Sequence, residues 1–250
     1  MHPLTELVCG EAAPTTSSIG EILSHLSLTL DRLIVRSVKL RDTDEQVDIA
    51  LFGPVLTRAL LEVSFTALLG RLDPFRVLLV REFQKQSSYV VDRRSGVAFN
   101  WQPDVHGDKV VDLFKADLKL KDVPRALLGS YYQETFWREA FQSLLDTVPF
   151  QRGADWMSRL RLVDPETFAS RARGESERIY TICSKGVHHE FVISPGNYYD
   201  KVTIQSVLQR CFELIGTVSI TTNMCPTVAF RIPANRAIDL YEEAQEELIA

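Results

Sequence analysis

The sequence is short of the residues and spacings that mark most metal, nucleotide and redox enzymes. Four cysteines, Cys9, Cys183, Cys211 and Cys225, are scattered through 250 residues with no C-x-x-C among them. That excludes a zinc ribbon and a thioredoxin-type redox pair. It is also too few for a disulfide scaffold, which points to a reducing compartment. There is no G-x-G-x-x-G, no G-x-x-x-x-G-K-[ST], no G-x-S-x-G and no H-E-x-x-H, so no cofactor is expected. Positive charge is not in excess either: 28 Lys and Arg against 33 Asp and Glu give a net charge of −5. A chain that binds nucleic acid by general phosphate neutralisation is normally basic, so any such contact must come from a local patch. The longest apolar run, residues 59–70, contains Glu62 and falls short of the roughly 20 residues that span a bilayer. The first residues lack a basic and apolar leader, and the expected location is cytoplasmic, with no membrane contact.

What remains is the composition of an ordinary globular chain, 45% hydrophobic and 24% charged, with a length that fits one or two domains. Its dominant period is helical. Residues 1–16, polar and small with Pro3 and Pro14, read as a flexible arm, and residues 17–250 as a single helical domain. Ser17 or Ser18 suits a helix cap, with Glu21 in capping-box register to Ser18. Apolar residues at three- and four-residue steps predict helices near 18–40, 54–70, 125–146, 176–190 and 199–216, with a last amphipathic helix opening at Ala234 or Asn235. Pro54 suits the first turn of its helix, and Asp164-Pro165 marks another start. Leu60, Val63, Leu144, Ile179, Cys183 and Leu208 are expected in the core. Residues 87–123 depart from this period. Tyr89-Val90-Val91 and residues 97–101, flanking a turn at Gly96, read as a small β-hairpin insertion, followed by helical spacing through Val111, Phe114 and Leu118. The β-branched run 217–222 fits strand or helix. The fold class is therefore mainly α, a helical bundle with a small hairpin. The apolar content of residues 127–145 and 208–215 exceeds what a thin bundle covers, which suggests a homodimer or a subunit of a protein complex.

Candidate chemistry concentrates on one helix. Ser176, Tyr180, Ser184 and His188 recur at i, i+4 as a polar column, with Ile179, Cys183 and Val187 on the buried side. A histidine in such a column can exchange a proton near neutral pH. The triplet His188-His189-Glu190 offers metal-ligand types, but adjacent helical residues point about 100° apart, so no metal site is expected. Arg58 and Glu62 stand at i, i+4 on an apolar helix and read as an internal salt bridge joining helices, with Arg58 as a candidate phosphate-binding group. Glu82 and Lys85 read as an exposed intrahelical pair. Between residues 152 and 178, Arg152, Arg159, Arg161, Arg171, Arg173 and Arg178 are interleaved with Trp156 and Phe168, a mixture that suits phosphate contact with base stacking. Acidic residues in the same stretch favour a salt-bridged solvated face.

The segment CSKGVHHE near the end of an all-helical chain resembles the last core helix of the HEPN superfamily of nucleotide-binding helical domains, and Arg58-Ala-Leu-Leu-Glu62 is similar to the R-x-x-x-E helix of several prokaryotic branches. The resemblance implies a bundle that usually dimerises, and many members are metal-independent ribonucleases of toxin–antitoxin, abortive-infection and CRISPR-linked systems. Their activity rests on an Arg followed by a His after four to six residues. This chain departs from that pattern: Thr181, Ile182 and Cys183 stand where the Arg should precede His188. The leading expectation is a non-catalytic component of a prokaryotic defence or toxin–antitoxin type system, acting through protein contacts with RNA as a further option. The alternative is a metal-independent ribonuclease using His188 with Arg58 as the supplied arginine. A third is a structural, scaffolding subunit. Contact residues for RNA or a partner would be Tyr180, Ser184, Lys185, His189, Arg159, Arg161, Arg171 and Arg173.

Overall fold

The computed structural model describes residues 1–11, 17–90, 92–93, 95–152, 155–188 and 199–249, with the side chains of His188 and Ile249 excepted. Ten α-helices follow in order among them: α1 (Pro3–Cys9), α2 (Ser18–Asp42), α3 (Gln46–Leu72), α4 (Pro74–Gln84), α5 (Ser130–Tyr132), α6 (Arg138–Thr147), α7 (Asp155–Leu160), α8 (Phe168–His188), α9 (Lys201–Met224) and α10 (Ala234–Ile249). α5 runs through a wide, π-type stretch (Gln133–Trp137) into α6. α3 is the central helix. It packs on α2, α8 and α9, and α9 in turn carries α10, α6 and α1.

Local sequence explains several boundaries. Ser17 caps α2, its hydroxyl accepting from the Gly20 amide at 3.1 Å, and Lys39 and Arg41 lie in the last turn, where they complement the helix dipole. Glu21 pairs with Arg81 of α4 rather than closing a capping box. Asp164 caps the short turn Pro165–Thr167 that leads into α8, accepting from Glu166 N at 3.0 Å. Pro54 does not open α3; the helix begins eight residues earlier and runs through it. The proline sacrifices one backbone hydrogen bond, which tertiary packing offsets: Gly53 lies against Ile204 of α9, and Gly186 of α8 lies against Pro54. At 27 residues, α3 is long and apolar enough to cross a bilayer by length and composition. Its Leu60, Leu61, Phe65, Leu68 and Leu69 are instead enclosed by the surrounding helices.

Residues 1–11 are not an arm. α1 buries Leu4, Leu7 and Val8 completely, and its last carbonyls are held by a buried guanidinium. Arg71 is fully buried, and among the described residues it has no carboxylate partner. Its Nη1 donates to Leu7 O at 2.9 Å and Val8 O at 3.3 Å, its Nη2 to Asn223 Oδ1 at 3.0 Å and Phe230 O at 3.2 Å, and its Nε to Ala229 O at 3.1 Å. Gly10, at φ 86, passes so close to this clasp that a Cβ there would sit 2.3 Å from Phe230 O.

The expected hairpin is absent: no strand occurs among the described residues. Tyr89 and Val90 are exposed, with no neighbouring strand to pair with. Trp101 begins a π-type turn, Trp101–His106, anchored by Leu127 N to Asp104 O at 2.9 Å and Leu128 N to Val105 O at 2.7 Å. The helical spacing through Val111, Phe114 and Leu118 also gives no helix, because those side chains remain exposed instead of joining the core. Residues 217–222 belong to α9. Three of their hydroxyls return to the preceding turn, Ser219 to Ile215 O, Thr221 to Thr217 O and Thr222 to Val218 O, at 2.6–2.8 Å, which lets these polar side chains sit fully buried in a helix.

Leu60, Leu144, Ile179, Cys183 and Leu208 occupy one core, with Val63 partly buried against it. The apolar surplus of residues 127–145 and 208–215 is covered within the chain: Leu127, Phe141, Leu144, Leu208, Phe212 and Ile215 are all buried. That surplus therefore gives no argument for a dimer. Several large apolar side chains are exposed elsewhere, among them Val47, Leu51, Phe52 and Val55 of α3 and Phe75, Leu79 and Phe83 of α4.

Candidate functional site

The polar column of α8 is met by two other parts of the chain. Tyr180 accepts a hydrogen bond from Arg58 Nη2 of α3 at 2.7 Å, and the Arg58 guanidinium carbon lies 4.6 Å from the centre of its ring. Arg58 Nε donates to Glu62 at 3.0 Å. The i, i+4 pair is thus joined to α8 through a tyrosine hydroxyl. Trp101 stacks on Tyr180 at 4.8 Å and 10°, and Phe65 closes edge-on against Trp101.

One turn earlier on α8, Ser176 faces His106, a residue that no sequence pattern singles out. His106 Nε2 and Ser176 Oγ are 2.8 Å apart, and Glu177 lies 3.7 Å from Nδ1. A serine, a histidine and an acid in that order invite comparison with a nucleophile set, but the chemistry runs the wrong way. The Ser176 hydroxyl donates to Arg173 O at 2.9 Å, so the network assigns the imidazole proton to Nε2 as donor to Ser176. A general base needs its lone pair there. Ser176 is also fully buried, out of reach of a substrate. Burial, reinforced by the nearby Arg173 charge, pushes the His106 pKa down to about 4. The imidazole is a neutral structural donor at physiological pH.

Beside this cluster lies a groove of about 640 Å³, walled by Trp101, Pro103, His106, Glu177 and Tyr180. Its lining combines the Glu177 carboxylate with a neutral imidazole and, among the described residues, holds no cation, so it offers a phosphate no opposite charge. Further along α8, Ser184 Oγ is buried without a hydrogen-bond partner among the described residues, and Lys185 is exposed. The His188 side chain, His189 and Glu190 lie outside the described residues. The backbone still constrains the split arrangement. Gly186 touches Pro54 and Tyr180 touches Arg58, so α3 and α8 run antiparallel. Eight residues separate Tyr180 from His188, about 12 Å along the axis. Arg58 is anchored at the far end of that interval.

The arginine run divides over several surfaces. Arg152 pairs with Asp239 of α10 at 2.6 Å. Arg161 donates to Pro149 O and Phe150 O and holds that turn. Trp156 and Phe168 are buried, so neither offers a face for base stacking. Arg159, Arg171 and Arg178 instead meet Arg210 of α9 around a cleft of about 590 Å³. Glu213 grips Arg159 bidentately at 2.7 and 2.9 Å. Glu175 accepts from Arg210 at 2.6 Å and lies 3.5 Å from Arg178. On α8, residues 171, 175 and 178 share one face at helical spacing, while 173, 176, 177 and 180 share the one turned to His106. Arg210 is not marked by the sequence because it stands apart from the arginine run, on a helix whose spacing is set by its buried apolar face.

Among the described residues no group of three His, Cys, Asp or Glu side chains is placed to hold a metal ion. The four cysteines are free and buried, and burial raises their thiol pKa values, to about 12 for Cys9, Cys183 and Cys225. They are inert packing residues. No protein-family profile matches the chain, and no curated protein or solved structure is recognisably similar to it.

Proposed function

We infer that this chain is a HEPN-like helical component of a prokaryotic defence or toxin–antitoxin type system that works by binding a protein partner rather than by cutting RNA. The system and superfamily parts of this reading rest on the resemblance of two segments. They are supported by the direct packing of the helices that carry those segments, α3 and α8. The single observation that carries the non-catalytic part is the engagement of Arg58. Its guanidinium is shared between Glu62 and the Tyr180 hydroxyl, about two helical turns from His188. An arginine that must hold a scissile phosphate has to sit beside the base, and two of this one's five N–H groups are already committed elsewhere. This one is a joint between α3 and α8.

The test is incubation of the purified full chain with labelled single-stranded RNA in EDTA. No cleavage is expected. Cleavage that Arg58→Ala or His188→Ala abolishes would overturn the reading in favour of the split ribonuclease.

A further inference from the structure

The cleft between α7, α8 and α9 lies on the face of α8 opposite the Tyr180 cluster, and the pairs Arg159–Glu213 and Arg210–Glu175 tie its walls together. Along α8 its lining runs from Phe168 to Arg178, and along α9 from Arg210 to Thr217. At 1.5 Å per residue these are about 15 Å and 10 Å, so the trough is as long as roughly three turns of helix. Its floor is aliphatic, made by Leu160, Val163, Ala172 and Leu214. The aromatic ring at its base, Phe168, is buried and stacked on Phe141 at 4.6 Å, so no aromatic face is left to carry a nucleobase, as single-stranded nucleic acid requires. Its rim holds four arginines against two glutamates. Glu213 is used up on Arg159, and Glu175 on Arg210 with Arg178 at longer range. Arg171 has no ion pair among the described residues, and Arg178 is 73% exposed.

We propose that this cleft docks an acidic amphipathic helical segment of a partner protein. Apolar side chains at i, i+3, i+4 and i+7 of the segment lie on the aliphatic floor, a span of about 10 Å that the trough accommodates. Carboxylates flanking that stripe meet Arg171 and Arg178, whose forked donors suit them. The proposal rests on the binding role inferred above and names the chemistry of the partner.

The probe is a fluorescein-labelled synthetic helix of about 14 residues with leucine on one face and glutamate on the other, titrated against the full chain by anisotropy. A matched peptide with lysine for glutamate and a labelled oligouridine serve as comparisons. The glutamate peptide is expected to bind at least about tenfold more tightly than either. The double substitution Arg171→Glu/Arg178→Glu should weaken it by at least about tenfold with an unchanged melting temperature, because both side chains are exposed. Val163→Asp, on the floor, should weaken it as well, and Lys121→Glu, at an exposed residue that does not line the cleft, should not. Equal binding of the acidic and basic peptides overturns the proposal. So does oligouridine binding that exceeds peptide binding and is lost in the same double variant. RNA cleavage in EDTA would defeat the non-catalytic reading without touching the peptide result, so the two failures are distinguishable.

Discussion

Replacing Arg71 by lysine keeps the charge and removes the fork, which makes it a sharp perturbation of the buried clasp. The native guanidinium meets five acceptors: the carbonyls of Leu7, Val8, Ala229 and Phe230 and the side chain of Asn223. These belong to α1, α9 and the segment between α9 and α10, and they approach from more than one side. An ammonium has three donors radiating from a single point, so at least two of the five acceptors lose the bond to residue 71. Phe230 O keeps the Glu11 amide and Asn223 Oδ1 keeps the Ile232 amide, whereas Leu7 O, Val8 O and Ala229 O have no other donor among the described residues. An unsatisfied buried polar group costs about 1–3 kcal/mol, and with one of these three left without a donor Arg71→Lys should cost about 1–3 kcal/mol. Arg71→Met abandons all three but also removes the cost of burying a charge, and about 2–5 kcal/mol is expected. In a chain of this size each kcal/mol moves Tm by roughly 2–4 °C, so the lysine variant should melt about 2–12 °C lower. Circular dichroism at 222 nm during heating, with urea unfolding at 25 °C, gives both quantities. Because the clasp holds the last carbonyls of α1, amide exchange at residues 7–10 should rise more than elsewhere in the lysine variant. A lysine variant within about 0.5 kcal/mol of the parent, with unchanged exchange in α1, would refute the reasoning.

Other expectations follow from the same contacts. The His106 pKa is pushed down from 6.5 to about 4 in the folded chain, so between those values the unfolded chain takes up a proton that the native one does not. This contribution is fully present above about pH 6.5 and fades as pH falls towards 4, a loss of up to about 3 kcal/mol. Urea unfolding at pH 7.0 and 4.5 should show a smaller pH difference for His106→Gln than for the parent; equal slopes would contradict the assignment. A Cβ on Gly186 would sit 2.5 Å from the Pro54 ring, and proline cannot rotate away. Gly186→Ala should therefore lower stability by about 1–2 kcal/mol despite its better helix propensity, and a more stable variant would show that α3 and α8 do not touch there.

How much of this could be read from the sequence depended on whether a feature was local. The periods of α2, α3, α8, α9 and α10 are carried by residues within one or two turns, and the polar face of Ser176 and Tyr180 follows from spacing alone. Their partners do not. His106 reaches Ser176 from 70 positions earlier, out of a segment whose alternating Tyr89, Val90, Val97, Phe99 and Trp101 satisfy a strand pattern without another strand to pair with. Period-2 alternation was produced there by Phe99 and Trp101 turning into the helical core. Arg71 stands in the last turn of α3, a place where basic residues usually face solvent, and nothing in its local sequence marks it for burial. Only the tertiary fold brings four carbonyls to it. The start of the chain was misjudged for a related reason: the α1 sequence PLTELVC is too short for a period to show, and its burial is imposed by the contacts of α1 with α9, α10 and Arg71.

The central claim, that Arg58 is a structural joint to Tyr180, is tested most directly by a double-mutant cycle on unfolding free energy with Arg58→Ala, Tyr180→Phe and the double variant. The hydroxyl receives a bond from a charged, partly exposed donor, and such bonds contribute about 1.5–3 kcal/mol when well shielded. A coupling of about 1–2 kcal/mol is predicted here. Additive losses, with a coupling below about 0.3 kcal/mol, would contradict the account and return Arg58 to the list of groups free to hold a phosphate.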